Sequence, residues 1–152
     1  MHHLTVIDNY AQYIAAGIAI FGKNAVLSDS YFANNSNLNT DVQYGGTVTL
    51  RNSANTKIIN CTFENNTAPY GGAARLTGYS VTVEDSIFNN NYASIDGGAV
   101  FINAHTLDIF DSNFTDNRAK HNGGAVYVQD GAASATIDNC RFENNKAGVN
   151  YG

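Results

Sequence analysis

The chain has 152 residues, of which 43% are hydrophobic and only 14% are charged, and its formal net charge is −5 at pH 7. The few Lys and Arg residues are scattered, so the basic patch of a nucleic-acid-binding protein is absent and we predict no nucleic-acid partner. No stretch approaches the roughly 18 uninterrupted apolar residues of a membrane-spanning helix, and we predict no membrane span.

The N-terminal region is predicted to be an irregular copy of a repeat that is clearer downstream. Val6-Ile7-Asp8-Asn9 has the spacing of the later Phe-x-x-Asn segments. Ala15-Ala16-Gly17-Ile18 starts nine residues after Val6, where later units have Gly-Gly-Ala-Val. A different alignment, in which Val6 takes the place of Val83, is also open.

From Phe32 onward the repeat is regular: Phe-x-[Asp/Asn]-Asn is followed by Gly-Gly-Ala-Val or a close variant. The last three glycine pairs are 26 residues apart. A fixed period of this size indicates a solenoid, in which each unit packs on its neighbours. The unit after Phe32 is longer, and its extra residues fall in the polar segment 35–44, which we predict to be a loop. The glycine pairs begin at Gly45, Gly71, Gly97 and Gly123.

Within each unit, apolar residues recur at every second position. Val100 and Ile102 follow one glycine pair, and Leu107 and Ile109 continue the same alternation. A period of two is typical of half-buried strands, and Gly, Asn and Asp divide each unit into about three of them. A unit of about 26 residues with three short strands predicts one coil of a parallel β-helix. We expect five to six coils, forming a single segment over residues 1–152 of a longer array, because no capping element follows Tyr151-Gly152.

Stacking of the coils predicts that two residues of each repeat lie inside the solenoid. Equivalent residues of successive coils lie one strand spacing apart, about 4.8 Å. The repeated phenylalanines would then form a buried aromatic column (the Phe column): Phe32, Phe63, Phe88, Phe114 and Phe142. The last Asn of each motif would form a ladder in which each amide bonds the amides above and below (the Asn ladder): Asn35, Asn66, Asn91, Asn117 and Asn145.

Corners are predicted where the residue type tolerates left-handed backbone angles. Asp or Asn stands three positions before each Phe, and both residues favour turns. The glycine pairs mark a further corner, where φ can be positive and coils approach closely. Cys61 and Cys140 share one position in coils three apart, about 14 Å by the stacking distance and beyond disulfide reach. We predict that both are small buried core residues.

One column of outward residues is a candidate binding surface. Two residues after the Ala of Gly-Gly-Ala-Val, the repeat places Thr49, Arg75, Phe101 and Tyr127. Arg75, Phe101 and Tyr127 are predicted to form an exposed aromatic and cationic strip, which could stack on sugar rings or contact a protein. The alternative is a cross-coil aromatic pair that only stabilises the sheet, by roughly 0.5–1.5 kcal/mol.

The Asp and His residues of the repeats are candidates for catalysis or metal binding, but each has a simpler explanation. Asp85 and Asp111 would stack about 5 Å apart, near the separation of a retaining glycosidase pair. The same position holds Asn60 and Asn139, so a role in turns is preferred. The Gly-Gly-x-Gly-x-Asp repeat that binds calcium in other β-helices is absent. His105 and His121 are predicted to be solvated. We therefore predict no catalytic residues, no metal site and no cofactor.

The repeated Phe-x-x-Asn and Gly-Gly-Ala-Val segments resemble the repeat of the chlamydial polymorphic outer membrane proteins. They are also similar to adhesin-like surface proteins of methanogenic archaea. The resemblance implies a right-handed, pectin-lyase-like β-helix at the cell surface or outside the cell, with a structural or adhesive role and no enzymatic activity. Its partners would be neighbouring repeats and a glycan or protein of a host or neighbouring cell. The alternative is a carbohydrate-active β-helix, a lyase or glycoside hydrolase, whose catalytic coils lie outside this chain.

Overall fold

The computed structural model describes residues 1–38, 45–130 and 132–148, apart from the side chains of residues 52 and 53. The regular structure of these residues is entirely β. In chain order the strands are β1 (Thr5–Ile7), β2 (Tyr10–Ala11), β3 (Ala15–Phe21), β4 (Asn24–Ala33), β5 (Ser36–Asn37), β6 (Gly46–Glu64), β7 (Thr67–Tyr70), β8 (Ala74–Glu84), β9 (Ile87–Asn89), β10 (Tyr92–Asp96), β11 (Val100–Phe110), β12 (Asn113–Thr115), β13 (Arg118–Ala119), β14 (Val126–Val128), β15 (Ser134–Asp138) and β16 (Arg141–Glu143).

The chain winds as a parallel β-solenoid, as predicted. Each strand pairs in parallel with the equivalent strand of the next coil, so that Val100 lies opposite Ala74 on one side and Val126 on the other. The winding gives about five turns. One sheet holds eleven strands, and a smaller sheet has the order β13-β10-β7-β5-β2. The apolar residues that alternate along the strands, such as Leu107 and Ile109, are buried between the sheets.

The pairing of the N-terminal strands confirms the alignment in which Val6 corresponds to the Phe of the later repeats. Val6 pairs with Phe32, and Ile18 pairs with Val48 after a local shift of register. The alternative, in which Val6 corresponds to Val83, is wrong. The predicted loop over 35–44 is also wrong at its start, because Ser36–Asn37 forms β5 and pairs with β2 and β7. The remainder of that segment, from residue 39, lies outside the described residues.

The Phe column runs through the core. Adjacent rings are nearly parallel, with centroids 4.8–5.0 Å apart. Phe32, Phe63, Phe88 and Phe114 are fully buried. Phe142 was also predicted to be buried, but it is 46% exposed. Its ring stacks on Phe114 at 4.8 Å in the last coil of the described residues, so only one of its faces is covered by a neighbouring ring.

The Asn ladder is confirmed, and it has one rung more than predicted. In each step the side-chain Nδ2 donates to the Oδ1 of the next coil at 2.9–3.0 Å, and the backbone N–H of the same residue donates to that oxygen as well. Each of these amides also donates to a main-chain carbonyl, as Asn91 does to that of Phe63 at 3.1 Å. The extra rung is Asn9, which donates to Asn35. The internal amides are therefore hydrogen-bonded on both sides, which a buried amide requires.

Replacing Asn91 with Ala is expected to lower the free energy of unfolding by about 1–3 kcal/mol. The substitution removes the oxygen that accepts both hydrogen bonds from Asn66 and leaves buried donors unsatisfied. The matched control is Asn89→Ala, at a half-buried position that holds Glu64 or Thr115 in other coils; it should change stability by less than about 0.5 kcal/mol. Equal costs for the two variants in urea titrations followed by circular dichroism would contradict the ladder.

The corners have the backbone geometry predicted for them. The Asp and Asn residues three positions before each Phe all have φ of 49–50°. The first glycine of three pairs also has positive φ: Gly71, Gly97 and Gly123. Cys61 and Cys140 are free thiols, as their separation predicted. Cys61 is buried, and burial raises the pKa of its thiol. Cys140, in the last described coil, is only partly buried, so the prediction of a buried core residue is wrong for it.

Candidate binding pocket

The candidate column stacks as predicted, but it is not an exposed strip. Thr49 pairs with Arg75, Arg75 with Phe101, and Phe101 with Tyr127. Phe101 is only 2% exposed, so the prediction of an exposed aromatic surface is wrong for this residue. Thr49, which precedes Arg75 in the same column, is fully buried. For Phe101 the reason is the glycine corner. It brings Tyr70, which immediately precedes Gly71, against Phe101 with the ring centroids 5.0 Å apart and the planes at 73°.

These side chains form a pocket on the outer surface of the solenoid. It has a volume of about 220 Å³, and the described residues that line it are Tyr70, Arg75, Asp96, Phe101, Tyr127 and Gln129. The rings of Phe101 and Tyr127 lie 5.6 Å apart at an angle of 36°. The structure therefore brings the three predicted binding residues together, in a concave site rather than on a flat face.

Two aromatic rings of the described residues hold the guanidinium of Arg75. Its Cζ lies 5.4 Å from the centroid of Tyr70 and 5.1 Å from that of Phe101. Both distances are within the range of cation–π attraction. The contacts restrict the long Arg side chain, so the positive charge of the pocket has a defined position before any ligand arrives.

Asp96 supplies the negative charge of the pocket. Its Oδ1 accepts two hydrogen bonds from Asn122, one from the backbone N–H at 2.9 Å and one from Nδ2 at 3.0 Å. These bonds fix the carboxylate. Burial raises the pKa of the Tyr70 hydroxyl, and the charge of Asp96 raises it further, although Arg75 opposes this. The phenol therefore keeps its proton at neutral pH and can act as a donor.

Sequence reasoning missed Tyr70, Asp96 and Gln129. A signal for the first two was present, because each stands immediately before a glycine pair and the two residues are paired in the smaller sheet. A tight turn at the glycines places the residue before the pair beside the outward residue after it. Gln129 is two positions beyond Tyr127 on the same outward side, and its Oε1 accepts a hydrogen bond from Asn103 at 3.4 Å.

The Asp and His residues that were considered for catalysis or metal binding lie at structural corners or face the solvent. Asp85 and Asp111 lie at the corner with φ of 49°, and Asn139 donates to Asp111. His105 is exposed and stacks on Tyr79 with the centroids 4.8 Å apart, and His121 is also exposed. Across residues 1–38, 45–130 and 132–148, no three His, Cys, Asp or Glu side chains come together as metal ligands.

Comparison with known proteins agrees with the architecture. A family model described as a right handed beta helix region matches residues 2–119. A model of the Chlamydia polymorphic membrane protein repeat matches residues 111–129. No curated protein and no solved structure matches the chain. Within the part of the chain that the structure describes, no helix has the length and apolar character needed to cross a membrane.

Proposed function

Because the chain belongs to the right-handed β-helix family, we propose that it is a rigid, non-catalytic segment of a cell-surface protein that attaches to a ligand outside the cell. The pocket at Arg75 and Tyr127 is the observation that carries this proposal. It is concave, it combines a fixed cation with aromatic rings, and it lies on the side of the solenoid. A solenoid displays such sites along its length, where a partner can reach them.

The surface location is supported by the second family match. The matched repeat, residues 111–129, includes Phe114 and the pair Gly123-Gly124. The repeat is named for a membrane protein of Chlamydia. We propose an extracellular or cell-surface location by this similarity. The partners would be neighbouring repeats of the parent chain, which stack on the coils, and a glycan or protein of a host or neighbouring cell, which enters the pocket.

We propose that the segment is not catalytic because its stacked carboxylates have a structural role. Asp85 and Asp111 serve a corner at which Asn60 and Asn139 adopt the same φ. A position that accepts either amide or carboxylate selects turn geometry and hydrogen bonding rather than acid–base chemistry. A glycoside hydrolase needs a pair of carboxyl groups with different roles, and this column offers no such distinction.

Beads that carry many copies of the protein are expected to bind one class of immobilised glycan or surface protein in an array. Single copies should bind weakly, and multivalency supplies the useful strength. The variant Arg75→Ala/Tyr127→Ala should reduce bead binding at least about tenfold, because it removes the cation and the accessible ring of the pocket. Tyr127 is chosen over Phe101 because truncating a buried ring would also disturb the fold.

The matched control for bead binding is Tyr79→Ala/His105→Ala, which removes an outward aromatic stack away from the pocket. This variant should bind like the unmodified protein. Loss of binding in both double variants, or in neither, would contradict the assignment of the pocket. A reducing-sugar assay on polygalacturonate and other glycans should show no turnover. Turnover that Asp85→Asn or Asp111→Asn abolishes would overturn the non-enzymatic proposal.

A further inference from the structure

We propose that the pocket binds a single neutral hexopyranose ring, as the end or a side branch of a surface glycan. This inference rests on the proposed function and adds the chemical class of the ligand. It depends on four observations: the size of the pocket, its balanced charge, its fixed hydrogen-bonding groups and its accessible aromatic ring.

The size of the pocket selects a small ligand. A volume of about 220 Å³ lies below the roughly 300–1,000 Å³ of sites for drug-sized molecules. The walls come from consecutive coils, with Tyr70 and Arg75 in one, Asp96 and Phe101 in the next, and Tyr127 in the third. One sugar ring fits this space, whereas a folded peptide segment or an oligosaccharide must leave most of its atoms outside.

The charges of the pocket favour a neutral ligand. Arg75 contributes one positive charge and Asp96 one negative charge. An acidic sugar would bring a second carboxylate close to Asp96, and like charges in a partly buried site repel each other. A cationic ligand would meet the same penalty from Arg75. A polyhydroxylated neutral ring avoids both penalties and can still form charge-assisted hydrogen bonds with each group.

The fixed polar groups match a ring that carries several hydroxyls. Asp96 uses Oδ1 for Asn122, and its Oδ2 accepts no hydrogen bond from any described residue, so a hydroxyl can donate to it. Asn103 donates to the Gln129 oxygen, which orients the Gln129 NH2 group as a donor. Tyr70 keeps its phenolic proton, and Arg75 has several N–H donors. A sugar hydroxyl both donates and accepts, so a single ring can satisfy acceptors and donors together.

The accessible aromatic ring supplies the apolar contact. Phe101 is covered, but Tyr127 is only partly buried and lines the pocket. A pyranose presents C–H groups on its face and hydroxyls at its rim. Packing that face against Tyr127 buries apolar surface while the rim reaches Asp96 and Gln129, and this is the amphipathic contact for which Tyr suits binding sites.

The test is saturation-transfer difference NMR and calorimetry on the intact chain, with methyl glucopyranoside, galactopyranoside and mannopyranoside as probes. Methyl galactopyranosiduronate, the galacturonate glycoside that carries a carboxylate at neutral pH, is the acidic comparison. At least one neutral probe should bind with a Kd of about 1 mM, which is what roughly a dozen non-hydrogen atoms yield at ordinary ligand efficiency. Asp96→Asn should weaken it at least about tenfold, because a hydrogen bond to a charged group is lost.

The design of Asp96→Asn separates binding from folding. The amide retains an Oδ1 that accepts the hydrogen bonds from Asn122 and replaces only the second oxygen, so the urea midpoint should stay unchanged. Tyr79→Ala is the control for sugar binding, because Tyr79 is exposed outside the pocket, and it should leave the Kd within about twofold.

Four results would overturn the inference. The first is preferential binding of the galacturonate, strengthened by Asp96→Asn, which would assign the pocket to acidic sugars. The second is neutral-sugar binding that Asp96→Asn leaves intact, which would place the sugar elsewhere. The third is no sugar binding while the beads still bind a protein through Arg75 and Tyr127, in which case the proposed function stands and the sugar assignment falls. The fourth is that the unmodified protein binds no sugar and the beads bind no glycan or protein, which would refute both the sugar assignment and the proposed function.

Discussion

Replacing Phe88 with Ala is expected to reduce the free energy of unfolding by about 3–5 kcal/mol. Phe88 is fully buried, and its ring lies between Phe63 at 5.0 Å and Phe114 at 4.8 Å. Truncation opens a cavity in the middle of the Phe column and removes both ring contacts. The backbone of the neighbouring coils is fixed by parallel pairing on both sides, so it can collapse only partly into the space.

Phe142→Ala is the matched control for the Phe column. It occupies the same position of the repeat, but it is 46% exposed, and among the described residues it stacks on one ring, that of Phe114. Its truncation should cost roughly half as much or less, because the cavity term depends on surrounding atoms that cannot relax. Urea titrations followed by far-UV circular dichroism would measure both variants. Similar losses would show that stacking on both faces does not determine the stability of the column.

Replacing Gly98 with Ala is expected to cost about 3 kcal/mol or more, or to prevent folding. A Cβ at this position would overlap the carbonyl oxygen of Gly124 and lie 2.6 Å from the backbone nitrogen of Arg118. Real Cβ atoms do not approach backbone this closely, and overpacking of a rigid region already costs about 1–3 kcal/mol when side chains alone must move. Here the backbones of neighbouring coils would have to separate.

Gly22→Ala provides the comparison for Gly98. A Cβ added at Gly22 meets no atom of the described residues within 4 Å, and the φ of Gly22 is outside the left-handed region. The variant should therefore lie within about 0.5 kcal/mol of the unmodified protein or be slightly more stable, because Ala restricts the unfolded chain. A mild effect at Gly98, similar to that at Gly22, would show that the coils separate easily at this corner.

The architecture could be predicted from the sequence because each structurally required residue type recurs at the same position in several copies of the repeat. The residue three before each Phe is Asp or Asn, and the φ of 49–50° at all five positions explains the choice. The Asn ladder needs an amide, which donates and accepts, and Asn provides it at every copy. Even the irregular first copy keeps Asn9, and its bond to Asn35 follows from the spacing. The exposure of Phe142 did not follow, because periodicity gives the position in the repeat but not what covers the last described coil.

The pocket could be predicted only in part. Alternation correctly directed Arg75, Phe101 and Tyr127 away from the core, but it could not show that another segment covers Phe101. That cover depends on the turn at the glycine pair, which places Tyr70 against Phe101 and Asp96 near Arg75. Such contacts join two sides of a corner. They arise from the path of the backbone through the turn. The alternation of apolar residues along a strand does not predict that path.

The rungs of the Asn ladder keep the same length although the chain between them does not. The bond from Asn35 to Asn66 spans 31 residues and that from Asn91 to Asn117 spans 26, yet both measure 3.0 Å. Length variation is therefore absorbed in the connecting segments, outside the hydrogen-bonded stack. An evolving lineage can lengthen one of these segments, or duplicate a whole coil, without disturbing a single amide. The solenoid thus separates the part of the sequence that must stay constant from the part on which new recognition loops can be grafted.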